Sequence, residues 1–580
     1  MKKTLEDIDK NVLPNAKFCC APVNKNLRKL AALECFDKGD IDMGIHHLTE
    51  SHAIGFRSKI VSRISQVNEM QAEFLSLPHI SFDPDLINFS SKYASSNDKG
   101  LMERLQELPE EWTLVQLTQG FSSKTRCTPR EAGTPSSNSV FHITRFSCGR
   151  NARKPCCVTL PKGSITAAKL SSIFEIIEKA VTPVSSKKVT PSKMLREACI
   201  PNTRIFSKLQ PPSKSTREEY GEALKVLVDE INSEWLQQWR CMLLGQLCAS
   251  DLKKDIRKTV DKVLSKSKLP ENSVTLLYQI MDGSGHLDLG EIEAAVSDCI
   301  HDEDTRCAMI EAIKEFKESN LNLAVAKRYP VLLILDEILD KVPWEMIPVL
   351  RRHPVSRIFS VHFAHAMYNR FKQQLPMKDG CFIIEKPEDG YYVINPGKDL
   401  SKMEEKMCDF ISSRVPSWDG IAGSFPPDKE FAAALKNHSF LLYCGHGNGT
   451  QYFSSDMIFS LDVKAIPLLF GCSSVKMEDF GGRVCISGLA MKYLTAGSPC
   501  VLGMLWKVTS NDADNMCVTL LNNWLPGKSA EIASFISGKV EIVVKSEPEL
   551  LRSLRFARES CVYYVNSAGL VVYGIPVKFS

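Results

Sequence analysis

The 580-residue chain lacks several features that would place it in a common class of protein. No stretch approaches the roughly 18 consecutive apolar residues of a membrane span, so we expect no transmembrane segment. The first residues, Met1–Asp7, lack the hydrophobic core of a signal peptide, and we therefore expect an intracellular protein. A net charge of +4 is small for so long a chain and gives no support to general nucleic-acid binding.

Zinc-type cysteine spacing is also absent, although the chain contains 20 cysteines, because no Cys-x-x-Cys pair occurs. Most cysteines lie within apolar segments, as Cys241 and Cys500 do, or in adjacent pairs such as Cys156-Cys157. In a reducing compartment such residues are mainly small buried hydrophobic side chains. We therefore expect no disulfide framework, no metal and no cofactor.

The pattern of apolar residues predicts an α/β protein. The chain is too long for one hydrophobic core and fits three or four domains of about 150 residues. The predicted strands are Trp112–Leu117, Phe141–Phe146, Cys157–Leu160, Pro330–Asp336, Val355–Val361, Tyr391–Ile394, Phe440–Cys444, Ile466–Phe470, Cys500–Trp506 and Val571–Val577. Helical patterns alternate with these strands, which indicates a parallel or mixed sheet flanked by helices.

Other segments of the chain have a different composition. Residues 1–104 show apolar residues at helical spacing and are predicted to form a small N-terminal helical segment. Residues of about 120–139 and 182–214 are rich in Ser, Thr, Pro and Lys, and we expect mobile loops there. Helical pattern dominates again at about 215–320.

Two hydrophobic runs each end in glycine followed by a reactive side chain. They are Phe440–Cys444, followed by Gly445-His446-Gly447, and Ile466–Phe470, followed by Gly471-Cys472-Ser473-Ser474. A continuous apolar run that stops at glycine is typical of a buried parallel strand leaving its sheet. Open α/β sheets bind ligands beyond those strand ends. If the two strands are neighbours, the imidazole of His446 faces the thiol of Cys472.

A histidine beside a cysteine can activate the cysteine as a nucleophile. The reactive form of cysteine is the thiolate. A nearby histidine can accept the proton of the thiol near neutral pH. Attack on a carbonyl also needs donors for the developing oxyanion, and the N–H groups of Gly447 and Cys472 are candidates. On chemistry alone, two packed side chains are the commoner explanation of a histidine and a cysteine at such positions.

The motifs at both strand ends resemble the catalytic core of separase, the caspase-like protease that opens cohesin at anaphase. The resembling segments are Tyr443–Gly447 and Leu468–Ser474, with Val342–Pro348, Val355–Ile358, Tyr391–Pro396, Leu505–Thr509 through Asp514, and more weakly Leu108–Thr113. The resemblance covers roughly residues 105–580. It implies tandem caspase-like domains: an inactive one at 105–350, with the helices of about 215–320 as an insertion, and a catalytic one at 351–580.

The resemblance implies a cysteine endopeptidase in which Cys472 attacks the scissile carbonyl and His446 transfers the proton. Separases cleave a kleisin subunit of cohesin after arginine, in Glu-x-x-Arg sites, so the arginine needs an acidic S1 pocket. The family's S1 aspartate falls on Asp514, with Asp512 as the alternative and Trp506 as a candidate wall. Ordinary roles, a charge near a helix N-terminus and a core tryptophan, stay open for these residues.

Members of the family usually carry a long helical-repeat region before the protease, where this chain has residues 1–104. Either a separate subunit supplies that scaffold, as in insect members, or this lineage has lost it; we favour a separate subunit. The resemblance also implies a securin-like inhibitor that binds as a pseudosubstrate. We expect a cytoplasmic protein with access to chromosomes and spindle in mitosis, without direct sequence-specific nucleic-acid binding.

The chain departs from the family pattern at two positions near the proposed site. Lys507 replaces a usual aspartate, and Cys444 fills a position that is usually small. Neither residue belongs to the proposed pair. Two alternative functions stay open: an inactive caspase-like scaffold that only binds partners, and a caspase-like protease with a different arginine-containing substrate.

Overall fold

The computed structural model describes residues 20–73, 82–87, 98–121, 140–161, 163–181, 213–478, 486–527 and 547–580. The loops expected at about 120–139 and 182–214 fall almost entirely outside these ranges. Across the described ranges, no helix has the length and apolar character to cross a membrane. The same ranges contain no cluster of three or more His, Cys, Asp or Glu side chains that could hold a metal ion.

One large mixed sheet runs through the molecule. The strands are β1 (Thr113–Gly120), β2 (Val140–Ser147), β3 (Cys156–Thr159), β4 (Val331–Leu335), β5 (Val355–Arg357), β6 (Met377–Lys378), β7 (Cys381–Ile384), β8 (Gly390–Ile394), β9 (Asp419–Ala422), β10 (Phe440–Cys444), β11 (Ile466–Phe470), β12 (Cys500–Met504), β13 (Leu570–Gly574) and β14 (Val577–Phe579). Eleven of them form the sheet in the order β3-β2-β1-β4-β5-β13-β12-β11-β10-β8-β9. The other three form a small sheet in the order β14-β7-β6.

The helices lie between and beside these strands. They are α1 (Ala21–Asp37), α2 (Ile41–Glu50), α3 (Ile54–Glu73), α4 (Pro84–Ile87), α5 (Asp98–Glu107), α6 (Ala167–Val181), α7 (Lys214–Glu230), α8 (Ser250–Leu264), α9 (Glu271–Gly283), α10 (Leu289–Cys299), α11 (Glu303–Ser319), α12 (Val361–Phe371), α13 (Ser401–Arg414), α14 (Asp428–Asn437), α15 (Ser455–Phe459), α16 (Leu489–Ala496), α17 (Ser510–Trp524), α18 (Leu550–Glu559) and α19 (Tyr564–Ser567). The segment from α7 to α11 is helical, as its apolar pattern predicts.

The continuous apolar runs of the sequence form the centre of the sheet. Every residue of β10, β11, β12 and β13 is buried, because helices cover both faces of the sheet there. The strands β8 to β12 run parallel, as do β1, β4 and β5, whereas β2, β3 and β13 introduce antiparallel pairs. The predicted mixed α/β sheet flanked by helices is confirmed.

The strands before and after residue 350 share this one sheet. β5 lies parallel to β4 and meets β13 at the pair Arg357–Tyr573. The buried guanidinium of Arg357 donates to both carboxylate oxygens of Glu345 at 2.7 and 2.8 Å, and the Tyr573 hydroxyl donates to Asp340 at 2.8 Å. Hydrogen bonds therefore link residues on both sides of residue 350, and a domain boundary near that residue stays a prediction.

The N-terminal helices pack on the first half of the sheet. Lys25 and Lys29, one turn apart on α1, both donate to the carboxylate of Asp336, at 2.6 and 2.5 Å. Asp336 directly follows β4, and its buried carboxylate also accepts the backbone N–H of Gln119 at 3.1 Å. Because the two ammonium groups neutralise it, the pKa of Asp336 lies well below its ordinary value. The ion pairs therefore hold α1 against the residues that follow β4.

The segment Val571–Val577, predicted to be one strand, is two strands in different sheets. β13 ends at Gly574, whose φ of +115° lies in the region that favours glycine. Pro576 follows and has no N–H to continue the ladder. The chain then forms β14, which pairs in parallel with β7 in the small sheet.

Candidate active site

The two strands that carry the glycine motifs are parallel neighbours. The last residues paired between β10 and β11 are Cys444 and Phe470. His446 and Cys472 each follow this pair by two residues, so both emerge at the carboxyl edge of adjacent strands. In an open α/β sheet this edge is where ligands bind.

The backbones of the two motifs are in direct contact. A Cβ atom on Gly471 would overlap the carbonyl oxygen of Gly447 and would lie 2.9 Å from that of Gly445. Gly447 has a φ of +63°, a conformation that glycine adopts without strain. The two glycine motifs therefore bring the chain segments on either side of the crevice together.

The backbone of His446 is held while its side chain stays half-exposed. Its carbonyl oxygen accepts hydrogen bonds from the hydroxyl of Tyr443 at 2.6 Å and from Nε2 of Gln451 at 2.7 Å. The ring atom Nε2 lies 3.2 Å from Oδ2 of Asp399. The imidazole thus has a carboxylate partner and an open side toward solvent.

Asp399 lies in the loop after β8, the strand on the other side of β10 from β11. Asn395 organises this loop: its Oδ1 accepts the backbone N–H groups of Asp399 and Leu400 at 3.2 and 3.1 Å. The backbone N–H of Asn395 donates to the carbonyl of Cys444 at 2.8 Å, and its φ is +46°. A third strand end is thereby tied to the strand that carries His446.

The Cys472 thiol is half-buried and donates to the carbonyl oxygen of Val508 at 3.4 Å. The next residue, Ser473, has a φ of +54°, an uncommon backbone conformation for a residue with a side chain. Its N–H donates to the carbonyl of Trp506 at 3.0 Å. These contacts fix the turn after β11 against the loop that leads into α17.

Two backbone donors at the crevice are uncommitted. The N–H groups of Gly447 and Cys472 donate no hydrogen bond to any of the residues that the structure describes. Gly447 lies three residues after β10 and Cys472 two residues after β11, so both amides lie near the carboxyl edge of the sheet. Free backbone amides of this kind are suited to stabilise an oxyanion.

Asp512 and Asp514 both lie near the start of α17, but their surroundings differ. The carboxylate of Asp512 is fully buried and accepts the backbone N–H groups of Val562 and Tyr563 at 2.9 and 3.2 Å. It also accepts the side-chain amide of Asn566 at 2.8 Å. Asp512 therefore links α17 both to α19 and to the residues just before it.

Asp514 is 9% exposed, and none of the described residues donates a hydrogen bond to its carboxylate. Burial raises the pKa of Asp514 to about 6, and the positive charge of Lys406 opposes that shift. The Lys406 ammonium donates to Oδ1 of the neighbouring Asn515 at 2.9 Å. Asp514 is thus a buried acid with spare acceptor capacity.

The helix turn that carries Asp514 packs beside the strand that carries His446. Cys517, three residues after Asp514, contacts the thiol of Cys444 at the end of β10, and burial with this contact raises its pKa. Trp506 is 6% exposed, and its indole N–H donates to the carbonyl of Val565 at 2.9 Å. Asp514 and Cys517 thus belong to α17, and Trp506 belongs to the loop that leads into it.

Three features of this site are not apparent from the sequence patterns. They are the carboxylate of Asp399, the hydrogen bonds that Tyr443 and Gln451 donate to the His446 carbonyl, and the Lys406 ammonium. The sequence gives little signal for Asp399, because it lies five residues after the strand that ends at Ile394, whereas His446 and Cys472 each lie two residues after theirs. Lys406 looks like an ordinary helix-surface lysine in the sequence, so no pattern marks it.

Comparison with known proteins gives a consistent family. The profile of the family described as "Separin, protease domain" matches residues 214–513. Separin of Mus musculus is 26% identical over 440 residues, which cover 72% of this chain and 19% of that protein. Separin of Schizosaccharomyces pombe is 32% identical over 250 residues, covering 43% of this chain and 13% of that protein. The chain spans a fifth or less of the length of these relatives.

Solved structures show the same fold. The Saccharomyces cerevisiae separase in a separase–securin complex superposes with a TM-score of 0.65, covering 96% of this chain and 36% of that chain. The sequence identity in that match is 17%, so the likeness establishes a shared fold and no more. The described strands and helices are arranged as in that larger protein.

Proposed function

The chain belongs to the separin family, since the protease-domain profile matches more than half of it, and we propose that it is a cysteine endopeptidase of the separase type. The observation that carries this proposal is the parallel pairing of β10 with β11. That pairing places the imidazole of His446 and the thiol of Cys472 on adjacent strand ends, at the edge where such sheets bind ligands. No metal is needed for the chemistry of this pair.

In the proposed reaction, His446 takes the proton of Cys472, and the thiolate attacks the scissile carbonyl carbon. The amides of Gly447 and Cys472 donate to the oxyanion. This role is supported because neither N–H donates to another acceptor among the described residues. His446 then gives the proton to the leaving amine. A water molecule, deprotonated by the same histidine, hydrolyses the thioester and restores the thiol.

We assign arginine recognition to Asp514. Its buried carboxylate lacks a donor among the described residues, whereas Asp512 accepts hydrogen bonds from Val562 and Tyr563 before α19 and from Asn566 within it. A guanidinium can pair with such a carboxylate through two parallel hydrogen bonds. Trp506, which lies on the same loop as the Val508 carbonyl that accepts the thiol, is proposed to form part of the pocket wall.

The proposed substrate is a kleisin subunit of cohesin, cleaved after arginine in a Glu-x-x-Arg site to release sister chromatids. A securin-like pseudosubstrate inhibitor is proposed because the solved structure of the yeast protein is a complex with securin. A separate helical-repeat scaffold subunit belongs to the same proposal. So does a location in the cytoplasm with access to chromosomes and spindle during mitosis.

An active-site-directed probe tests the proposal without requiring a protein substrate. We expect a biotinylated Glu-x-x-Arg peptide ending in an acyloxymethyl ketone to label the wild-type chain at Cys472. Cys472→Ser and His446→Ala should abolish labelling, while Cys444→Ser should retain it. Cys444 is the matched control because it is a thiol at the end of the neighbouring strand that is already buried.

The same experiment separates the alternatives. A chain that no arginine probe labels at Cys472 would be an inactive scaffold. Equal labelling by peptides with and without the glutamate three residues upstream would indicate a protease for another arginine-containing substrate. Loss of labelling in Cys444→Ser to the same extent as in Cys472→Ser would show that the wrong thiol has been assigned.

A further inference from the structure

We propose that Asp399 is a positioning residue that orients the imidazole of His446 and stabilises its protonated form. The inference rests on the proposed function, because it adds a residue to the same site. It starts from a distance of 3.2 Å between Oδ2 of Asp399 and Nε2 of His446. Two strand ends supply the reacting pair, and this third one, after β8, supplies the carboxylate.

The contact with Asp399 gives the two ring nitrogens of His446 different roles. A neutral imidazole has one N–H donor and one acceptor nitrogen. If Nε2–H donates to Asp399, Nδ1 is the acceptor that takes the proton of the Cys472 thiol. Transfer of that proton gives a thiolate and an imidazolium, and the negative charge of Asp399 favours this pair over the neutral one.

The carboxylate is presented by a fixed loop. The backbone N–H of Asp399 is bonded to Oδ1 of Asn395, whose Nδ2 donates to Glu404 at 2.6 Å. A Cβ atom on Gly397 would lie 3.0 Å from Oδ1 of Asp399 and 3.0 Å from the hydroxyl of Tyr452. Glycine at residue 397 therefore leaves the space in which the carboxylate reaches the imidazole.

The other titratable groups around the ring do not supply that negative charge. Burial raises the pKa of Tyr443 and of Tyr452, so both phenols are neutral at physiological pH. The Tyr443 hydroxyl is committed to the His446 carbonyl at 2.6 Å. Among the residues that the structure describes, Asp399 is the carboxylate within ion-pair distance of the imidazole. Both partners are more than half exposed, so the expected effect is modest.

The test is the pH dependence of alkylation of Cys472 by iodoacetamide, followed by peptide mass spectrometry. This reagent reacts with the thiolate and requires no substrate recognition. Under the proposal, His446 and Asp399 both contribute to the alkylation rate near neutral pH. The quantity compared between variants is the rate at pH 6.5 divided by the rate at pH 10, where any accessible thiol is ionised.

We expect Asp399→Asn, which keeps the shape but removes the charge, to lower this ratio about two- to fivefold. The rate at pH 10 should not change, which shows that access to the thiol is intact. Asp399→Glu should restore part of the ratio. The matched control is Asp462→Asn, because Asp462 is also a half-exposed carboxylate in an ion pair, with Arg370 at 2.6 Å, outside the site.

The outcomes distinguish this inference from the proposed function. If His446→Ala lowers the ratio and Asp399→Asn does not, the His–Cys pair stands and the role of Asp399 is refuted. If His446→Ala also leaves the ratio unchanged, the histidine does not assist the thiol, and both proposals fail. A loss in Asp399→Asn that Asp462→Asn reproduces would also overturn the inference, since the effect would not be specific to the site.

Discussion

Asp512 and Asp514 lie near the start of the same helix, yet of these two carboxylates only that of Asp512 accepts hydrogen bonds from residues that the structure describes. Three donors, two backbone N–H groups and the Asn566 amide, converge on Asp512 at 2.8 to 3.2 Å. Asp514 is 9% exposed and receives no hydrogen bond from the described residues. A largely buried carboxylate without donors is costly to the fold, and a cationic ligand that pairs with it would offset that cost.

Asp514→Asn should therefore stabilise the fold and remove arginine recognition at the same time. Burial raises the pKa of Asp514 in the folded protein to about 6, above its ordinary value of 3.8. The folded state then binds a proton more tightly than the unfolded state, so the cost of the charge appears as the pH rises from about 4 and is complete above about 6. Asparagine carries no such charge.

We expect the free energy of unfolding of Asp514→Asn at pH 8 to exceed that of wild type by up to about 3 kcal/mol, with no gain at pH 4. Urea unfolding at both pH values measures the difference, and the arginine probe measures recognition. Unchanged labelling by the probe would transfer the S1 role to another acid. Equal gains at the two pH values would mean that desolvation of the charge is not the cause.

Asp512→Ala should behave in the opposite way. It leaves the N–H groups of Val562 and Tyr563 and the amide of Asn566 without their acceptor in a buried place, at a cost of about 2–4 kcal/mol. The urea midpoint should fall accordingly. Asp512→Asn is the control, because it keeps one acceptor oxygen and should lose less. If Asp512→Ala has wild-type stability, the three bonds are not formed in solution.

Lys406→Gln should alter the pH dependence of arginine cleavage. Asp514 must be ionised to pair with the guanidinium, so kcat/KM for arginine peptides should fall as the pH drops through about 6. The charge of Lys406 lowers the pKa of Asp514, and its removal should move this fall to higher pH. At pH 8 the variant should have a lower KM, because no ammonium then competes with the substrate for the pocket.

The matched control for Lys406 is Lys402→Gln, one turn earlier on α13 and exposed to solvent. Its profile of kcat/KM against pH should match that of wild type. A general effect of net charge would shift both variants equally. In that case the position of Lys406 beside Asn515 would have no special importance.

The strands of the site are easier to predict from the sequence than the charged contacts between its side chains. The runs at Phe440–Cys444 and Ile466–Phe470 are buried at every residue, and strands that are covered on both faces leave a continuous apolar pattern. Their adjacency and register depend on pairing across the sheet, which no local pattern encodes. The expectation that these two strands are neighbours therefore came from their motifs and the resemblance of those motifs to a family.

Contacts between distant parts of the chain could not be predicted from local patterns. The carboxylate of Asp399 reaches His446 only because β8 lies beside β10, and a single acid in a loop has no periodicity. The ion pairs of Lys25 and Lys29 with Asp336 join residues more than 300 positions apart. Hydrophobicity continues through the turn at Gly574, so the sequence pattern predicts a single strand at Val571–Val577 where the structure has two.

The contact between Gly471 and Gly447 gives a test of the geometry on which the site depends. In Gly471→Ala, the new methyl group would overlap the Gly447 carbonyl oxygen and approach that of Gly445, so the strand ends must separate. We expect a loss of about 1–3 kcal/mol in the free energy of unfolding and a loss of probe labelling at Cys472 that exceeds what partial unfolding explains. Chemical denaturation and labelling of the folded fraction measure the two effects separately.

Gly290→Ala is the matched control for that prediction. A Cβ on Gly290 would lie 3.5 Å from Oδ1 of Asp288, an ordinary contact, and the residue is in the first turn of α10. This variant should keep full labelling. It should be at least as stable as wild type, because alanine has a higher helix propensity than glycine. If Gly471→Ala is labelled at the wild-type rate, the two strand ends tolerate separation. The pairing of β10 with β11 would then not determine the geometry of the His446–Cys472 site.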